Sequence, residues 1–280
     1  MKFVVIPMAL LLLFTADAPV IQGKKNKVEM MSWRQADKLI PRYSKFTVQD
    51  LETGKKFHVQ RRAGSRHADV QPLTTKDTKI MKHIYNGKWS WKRRGIIVIA
   101  KGKMIAASMH GMPHGAGALN NNFPGHFCIH FYGSKTHRTS SMDLSHKLMI
   151  FKAAGELDNY FESAGPYELV DAYFAGLKQQ DLKIIHYAAL QKPDREKITN
   201  QIENVTVLRM PALPAENIGD ALTLSVPVEL ALQLKGIGPE KYIGTITIVR
   251  FSPWGPWKVD SKQFLEEVEV LARKEKAEPK

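Results

Sequence analysis

Apolar and polar residues alternate in short runs along the first half of the chain. Phe46–Asp50 and Lys56–Gln60 both alternate and flank Thr53-Gly54, which predicts a β-hairpin. Ile96–Ala100 and Met104–Met109 flank Lys101-Gly102-Lys103 and predict a second hairpin with a stronger apolar content. His126–Tyr132 alternates again, after a loop from His110 to Gly125 rich in Gly, Pro, Asn and His. Helical spacing separates these strands. Ser32 is placed to cap a helix that Pro41 stops, Thr74 to cap Thr75–Ile84, and Asp143–Tyr160 reads as a third helix. Beyond Gly165-Pro166, the residues Leu169, Val170, Tyr173, Phe174 and Leu177 follow i, i+3, i+4 spacing, with Pro166 suited to the first helical turn. A helix over Asp181–Leu190 follows. Strands are then expected near Val205–Met210, Ala221–Leu234 and Tyr242–Phe251, with a short run Trp257–Val259 and a last amphipathic helix. The pattern predicts an α+β chain: a mainly β first domain with flanking helices over 24–160, and an antiparallel sheet packed on helices over 166–273.

The start of the chain is of another kind. Lys2 precedes a nearly unbroken apolar run from Phe3 to Phe14, and Ala16-Asp17-Ala18 supplies the small-x-small pattern of a signal-peptidase site. Residues 1–18 are therefore expected to be a signal peptide, the alternative being an uncleaved anchor. The protein is expected to be secreted or held at the outer face of the cytoplasmic membrane or cell wall. Charge then narrows the partners. Residues 1–160 carry 26 Lys and Arg against 10 Asp and Glu, whereas 161–280 carry 15 against 17. A basic first half calls for an anionic partner, and for an exported chain that is peptidoglycan or another anionic envelope polymer rather than nucleic acid. Lys88–Arg94 interleaves two tryptophans with cations, a composition suited to stacking on sugar rings beside wall anions or, equally, to core tryptophans beside a solvated basic turn.

Seven of the ten histidines lie between His67 and His137, beside the only cysteine, Cys128. One cysteine cannot form an internal disulfide, so it is a buried small side chain or a working thiol. Strand alternation would put His126, Cys128 and His130 on one face, and the preceding loop could carry His110 and His114 to them. An imidazole within hydrogen-bond reach is what activates a thiol for attack.

The spacing resembles that of L,D-transpeptidases, in which a histidine is followed, after 14–17 residues, by Ser/Thr-His-Gly-Cys. Here His110 precedes Gly125-His126-Phe127-Cys128-Ile129-His130, with Gly111 to Pro124 between. The resemblance implies Cys128 as nucleophile toward a peptidoglycan stem peptide, His110 as general base and His126 as a second, shaping histidine. His130 and His114 are additional candidates, while His137 and His146 fall outside the constellation. Gly125 stands where that family has Ser or Thr, and Phe127 where it has glycine. The implied activity is a cysteine acyl transferase or hydrolase of the cell wall, with no cofactor.

Two alternatives stay open. One is a non-catalytic envelope-binding protein on a degenerate enzyme fold. The other is a zinc-dependent wall hydrolase using His67, Asp69, His126 and His130, since neutral imidazoles and carboxylates bind Zn²⁺. Ser65–Asp69 resembles the first metal motif of zinc D,D-carboxypeptidases, with a narrower His-to-Asp spacing. The second domain resembles the nuclear-transport-factor-two-like cone fold, in its Lys178–Asp181 turn and its Trp257–Asp260 ending. That resemblance implies a curved sheet and a partner- or ligand-binding module.

Overall fold

The structure, a computed structural model, describes residues 27–136, 141–214 and 218–277. The expected signal peptide and His137 lie outside the described residues. The first domain is built from β1 (Val28–Glu29), α1 (Trp33–Leu39), β2 (Lys45–Asp50), β3 (Lys56–Ala63), β4 (Ala68–Pro72), α2 (Thr75–Ile84), β5 (Arg93–Ala100), β6 (Lys103–His110), β7 (Phe127–His130) and α3 (Leu144–Ala154). Six of its strands run in the order β6-β5-β2-β3-β4-β7, and β7 pairs back onto β6, closing a barrel. β1 adds in parallel to the first part of β6, at Met104 and Ile105, and β7 takes the last part, at Ser108 and Met109.

The alternation in the sequence is what fills this barrel. Phe46, Val48, Phe57, Val59, Val70, Val98, Ile105 and Phe127 are buried in one cluster. Side chains of opposite parity point outward, and there Ile97 and Ala106 meet Ile150 and Ala153 of α3. Both predicted caps form as capping boxes: Ser32 with Gln35, and Thr74 with Asp77. Ala68–Pro72 was not foreseen as a strand. Every residue of it is buried, so it shows no polar alternation to read, and its Asp69 and Gln71 argue against a buried strand until their partners are known.

The predicted helix over Asp143–Tyr160 is two helices. Gly155 adopts φ 77°, in the left-handed region, and ends α3 before α4 (Leu157–Ser163) begins. The second half continues with α5 (Pro166–Gln179), α6 (Leu182–Ala188), α7 (Arg195–Gln201), β8 (Ile202–Arg209), β9 (Thr223–Leu234), β10 (Gly238–Val249), β11 (Lys258–Val259) and α8 (Ser261–Ala277). The antiparallel sheet β11-β10-β9-β8 is curled, as the cone-like expectation required. β9 buries every second residue from Leu224 to Leu234 against Tyr173 of α5 and Phe264 of α8. α7 was not foreseen: its seven residues, Arg195–Gln201, are mostly polar and bury only Ile198, so they show no apolar helical stripe to read.

The two cores meet at α3. Ile150 and Ala153 serve the barrel, while Leu148 and Met149 join the second core together with Leu157, Tyr160 and Phe161 of α4. Polar groups finish the junction. The backbone N–H of Arg93 donates to Gln179 Oε1 at 2.6 Å, and Gln179 Nε2 donates to Ser145 Oγ at 3.1 Å. Lys152 of α3 donates to Asp181 and, at 2.9 Å, to Glu52. Asp181 also caps α6, accepting from the N–H groups of Lys183 and Ile184, each at 3.1 Å.

Lys152 and Asp181 are both buried, so removing one partner strands the other. Lys152→Ala is expected to lower stability by about 3–5 kcal/mol, read from the urea midpoint. Burial opposes the Lys152 charge, but Asp181 and Glu52 outweigh it and raise its pKa above the ordinary lysine value. The pair's stabilising effect is therefore complete below the unfolded lysine value of about 10.4 and disappears as pH rises through the higher folded value. An unfolding midpoint in Lys152→Ala equal to that of the parent chain would contradict this.

Candidate active site

Strand register assembles the site on the outer face of the barrel. Asp69 of β4 lies directly opposite Cys128 of β7, and Ser108 of β6 directly opposite His130. Alternation along β7 sends Phe127 and Ile129 into the barrel, while Cys128 and His130 line an outer cavity of about 460 Å³. The Phe127 ring packs on Phe57 and Phe123, so its bulk is spent on the core and leaves the thiol side clear.

The loop 111–125 then folds over this face. A bridge between His114 and His126 joins its two ends, with Gly125 at φ 123° beside it. A Cβ on Gly125 would lie 2.5 Å from the His114 carbonyl oxygen. Glycine at this position is a requirement of the close approach that delivers His114. Gln71 Nε2 donates to the Gly125 carbonyl at 2.7 Å, and the Ala118 N–H donates to Gln71 Oε1 at 2.9 Å, fastening the loop to β4.

Hydrogen bonds fix several tautomers. His114 Nδ1 lies 3.2 Å from the Met112 carbonyl oxygen, which can only accept, so Nδ1 carries the proton and Nε2 carries a lone pair. That Nε2 is 3.3 Å from Cys128 Sγ. His110 is set the other way round, because its Nδ1 accepts the Met112 N–H at 3.3 Å. The backbone of one residue, Met112, thus orients both imidazoles, through its N–H and its carbonyl. His126 Nδ1 donates to the Ala116 carbonyl at 3.1 Å and His67 Nδ1 to the Lys135 carbonyl at 2.8 Å.

On its other side the thiol meets Asp69, with Oδ1 at 3.6 Å from Sγ, 3.1 Å from His67 Nε2 and 3.9 Å from His126 Nε2. Burial and then the Asp69 charge push the Cys128 thiol well above its ordinary pKa. Burial holds His110 and His146 well below theirs, with neighbouring imidazoles and Arg93 adding to the effect, so both are neutral at pH 7.

All five histidines and the cysteine proposed from sequence therefore converge, and so does Asp69. The hydrogen bond to the thiol comes from His114, whereas His110 packs against Trp91 and His114, with ring centroids 4.7 and 5.2 Å apart. Sequence reasoning missed two members, His146 and Trp91. His146 of α3 stacks on His130 at 3.8 Å, which in turn stacks on His67 at 4.5 Å, and His146 Nδ1 is 2.9 Å from Ser108 Oγ. Trp91 forms a cavity wall and is half exposed. The Lys88–Arg94 segment was the signal for Trp91. For His146 the available signal was a buried histidine on the apolar face of a helix, which by itself does not name a site.

No protein-family model, no curated protein and no solved structure matches this chain.

Introducing the residues that the L,D-transpeptidase spacing carries at positions 125 and 127 is expected to damage the protein. Gly125→Ser should destabilise it by about 1–3 kcal/mol through the positive φ and the collision with the His114 carbonyl, seen as a lowered thermal midpoint. Phe127→Gly should cost at least about 3–5 kcal/mol, the range for truncating a buried Phe to Ala, because it leaves a core cavity. A Gly125→Ser protein as stable as the parent would show that the loop does not need the close approach.

Proposed function

We propose that this chain is a cysteine acyl transferase or hydrolase of the cell envelope that acts on peptidoglycan stem peptides. The observation that carries the reading is the Cys128–His114 contact at 3.3 Å, with the His114 tautomer fixed by Met112. A nucleophile, a base with its lone pair on that nucleophile, and a group that orients the base make up the minimum for covalent acyl transfer. The fit of His110, His126 and Cys128 to the L,D-transpeptidase spacing supports the substrate class, and the basic first half supports an anionic polymer as the larger target. The apolar start of the chain supports export. Among the described residues no helix is long and apolar enough to cross a membrane.

The chemistry follows from the electrostatics. Burial and Asp69 keep the resting sulfur protonated, so attack is coupled to proton transfer rather than preceded by it. Sγ bonds to the scissile carbonyl carbon while its proton passes to His114 Nε2. The tetrahedral intermediate then collapses, the C–N bond breaks, and His114 returns the proton to the departing amine. A thioester on Cys128 remains. An acceptor amine gives transfer and water gives hydrolysis: each attacks the thioester carbonyl and loses a proton to His114, the C–S bond breaks, and the proton returns to Sγ. In this scheme His110 is a positioning residue that fixes Met112, and Trp91 provides an apolar wall for substrate. The second domain, through Gln179 and Asp181, holds the Arg93 backbone and α3 in place behind the cavity.

Cys128→Ala is expected to abolish turnover of muropeptides, followed by chromatography of the products. His114→Ala should lower kcat by about 10²–10⁴-fold, the range of a general base. His110→Ala should lower it less. Intact wall chemistry in Cys128→Ala would remove the cysteine assignment. A chain that binds isolated cell wall but turns over nothing would favour the non-catalytic envelope protein.

A further inference from the structure

Cys128 sits among more potential ligand atoms than acyl transfer uses. Three groups of side chains have donor atoms within 4.8 Å of one another, and all three share this sulfur: Asp69 with His126, His110 with His114, and His67 with His130. The three are not equivalent. His110 Nδ1 is already occupied as an acceptor of the Met112 N–H, so the proton of the neutral ring sits on Nε2. In the third group, His67 Nε2 is the atom that faces Asp69 at 3.1 Å. In the first group the carboxylate that His67 faces is itself one of the ligands. His126 Nδ1 donates to the Ala116 carbonyl, which leaves its Nε2 lone pair directed to the cluster. An imidazole whose outer N–H is held by a backbone carbonyl is the usual arrangement of a metal-ligating histidine.

Distances agree with this choice. Bonds of about 2.3 Å to sulfur and about 2.0–2.2 Å to nitrogen or oxygen place tetrahedral donors roughly 3.3–3.7 Å apart. Asp69 Oδ1 lies 3.6 Å from Cys128 Sγ, inside that range, and 3.9 Å from His126 Nε2, a spacing that a small turn of the His126 side chain closes. The pairing of Asp69 with Cys128 across β4 and β7 fixes the first of these through the barrel backbone, so the site is built before any ligand arrives.

We infer that Asp69, His126 and Cys128 form a binding site for one thiophilic divalent cation of the zinc class. Binding replaces the thiol proton by the cation and releases that proton to solvent. One thiolate, one imidazole and one carboxylate suit Zn²⁺ and its Co²⁺ surrogate better than the all-oxygen ions Mg²⁺ and Ca²⁺. A consequence, resting on the acyl-transfer reading above, is that an occupied site has no free nucleophile, so the cation and the thioester exclude each other.

The test uses the full chain, freed of metal with a chelator and titrated with Zn²⁺ by calorimetry and with Co²⁺ by absorbance. Saturation at one ion per chain and a near-ultraviolet thiolate-to-cobalt charge-transfer band are expected. Cys128→Ala should lose the band. His126→Ala should weaken Zn²⁺ binding by at least about tenfold. Its side chain is the most exposed of the three, 19% against 10% for Asp69, so this variant is the one least dependent on the fold. Exposed His83, outside the cluster, serves as the control, and His83→Ala should bind as the parent does. Absence of binding, or a cobalt spectrum unchanged in Cys128→Ala, would overturn the inference. A larger loss in His110→Ala or His67→Ala than in His126→Ala would overturn this donor set. Occupancy is read without substrate, so it stands or falls separately from muropeptide turnover by the metal-free protein, which tests the acyl-transfer reading.

Discussion

The structure depends on the insertion of β7 between β4 and β6. This four-residue strand closes the barrel, and the same hydrogen-bonded register sets Asp69 against Cys128 and Ser108 against His130. A shift of one residue would exchange the two faces, bringing Phe127 and Ile129 outward and Cys128 inward. The penalty for burying Cys128 and His130 in place of two large apolar side chains keeps the register unique. Core packing and site geometry are thus two consequences of one strand pairing.

The site built on that pairing concentrates neutral polar groups under cover. The imidazoles of His67, His130 and His146 stack in a column, and burial keeps His146 and His110 uncharged. Asp69 adds an anion beside a thiol, which is the opposite of the cationic surroundings that give preformed thiolates. The sulfur is consequently quiet at rest. It becomes useful only when something draws its proton away, either a base during attack or a cation that takes the proton's place. Both roles rely on imidazoles whose outer nitrogens are tied to backbone carbonyls, which makes the 111–125 loop and its Gly125 closure as important as the reacting atoms.

The second core is joined to this arrangement by α3, which packs on the barrel with one face and on the helices of the second half with another. Its His146 belongs to the site, and its Lys152 belongs to the buried ion pair with Asp181. Displacement of the second half would therefore be felt at the His130–His146 stack. The domain boundary drawn at Gly165-Pro166 marks a change of chain direction, whereas the packing boundary runs through α3 itself.

Local chemistry was enough to determine much of this from sequence. Two hairpins, two capping boxes, the Pro166 helix start and the alternation that fills β9 follow from side-chain parity and cap residues, which act over a few positions. The clustering of His110, His126 and Cys128 was likewise legible as a spacing. Tertiary structure decided what spacing cannot express. It made β4 a strand despite its polar residues, because Asp69 and Gln71 find partners 47 to 59 residues away in sequence. It recruited His146 and Trp91 through packing of α3 and the 88–94 turn. It also selected His114 to face the thiol, since that choice rests on one backbone carbonyl, at Met112, whose direction is set only when the loop closes at Gly125.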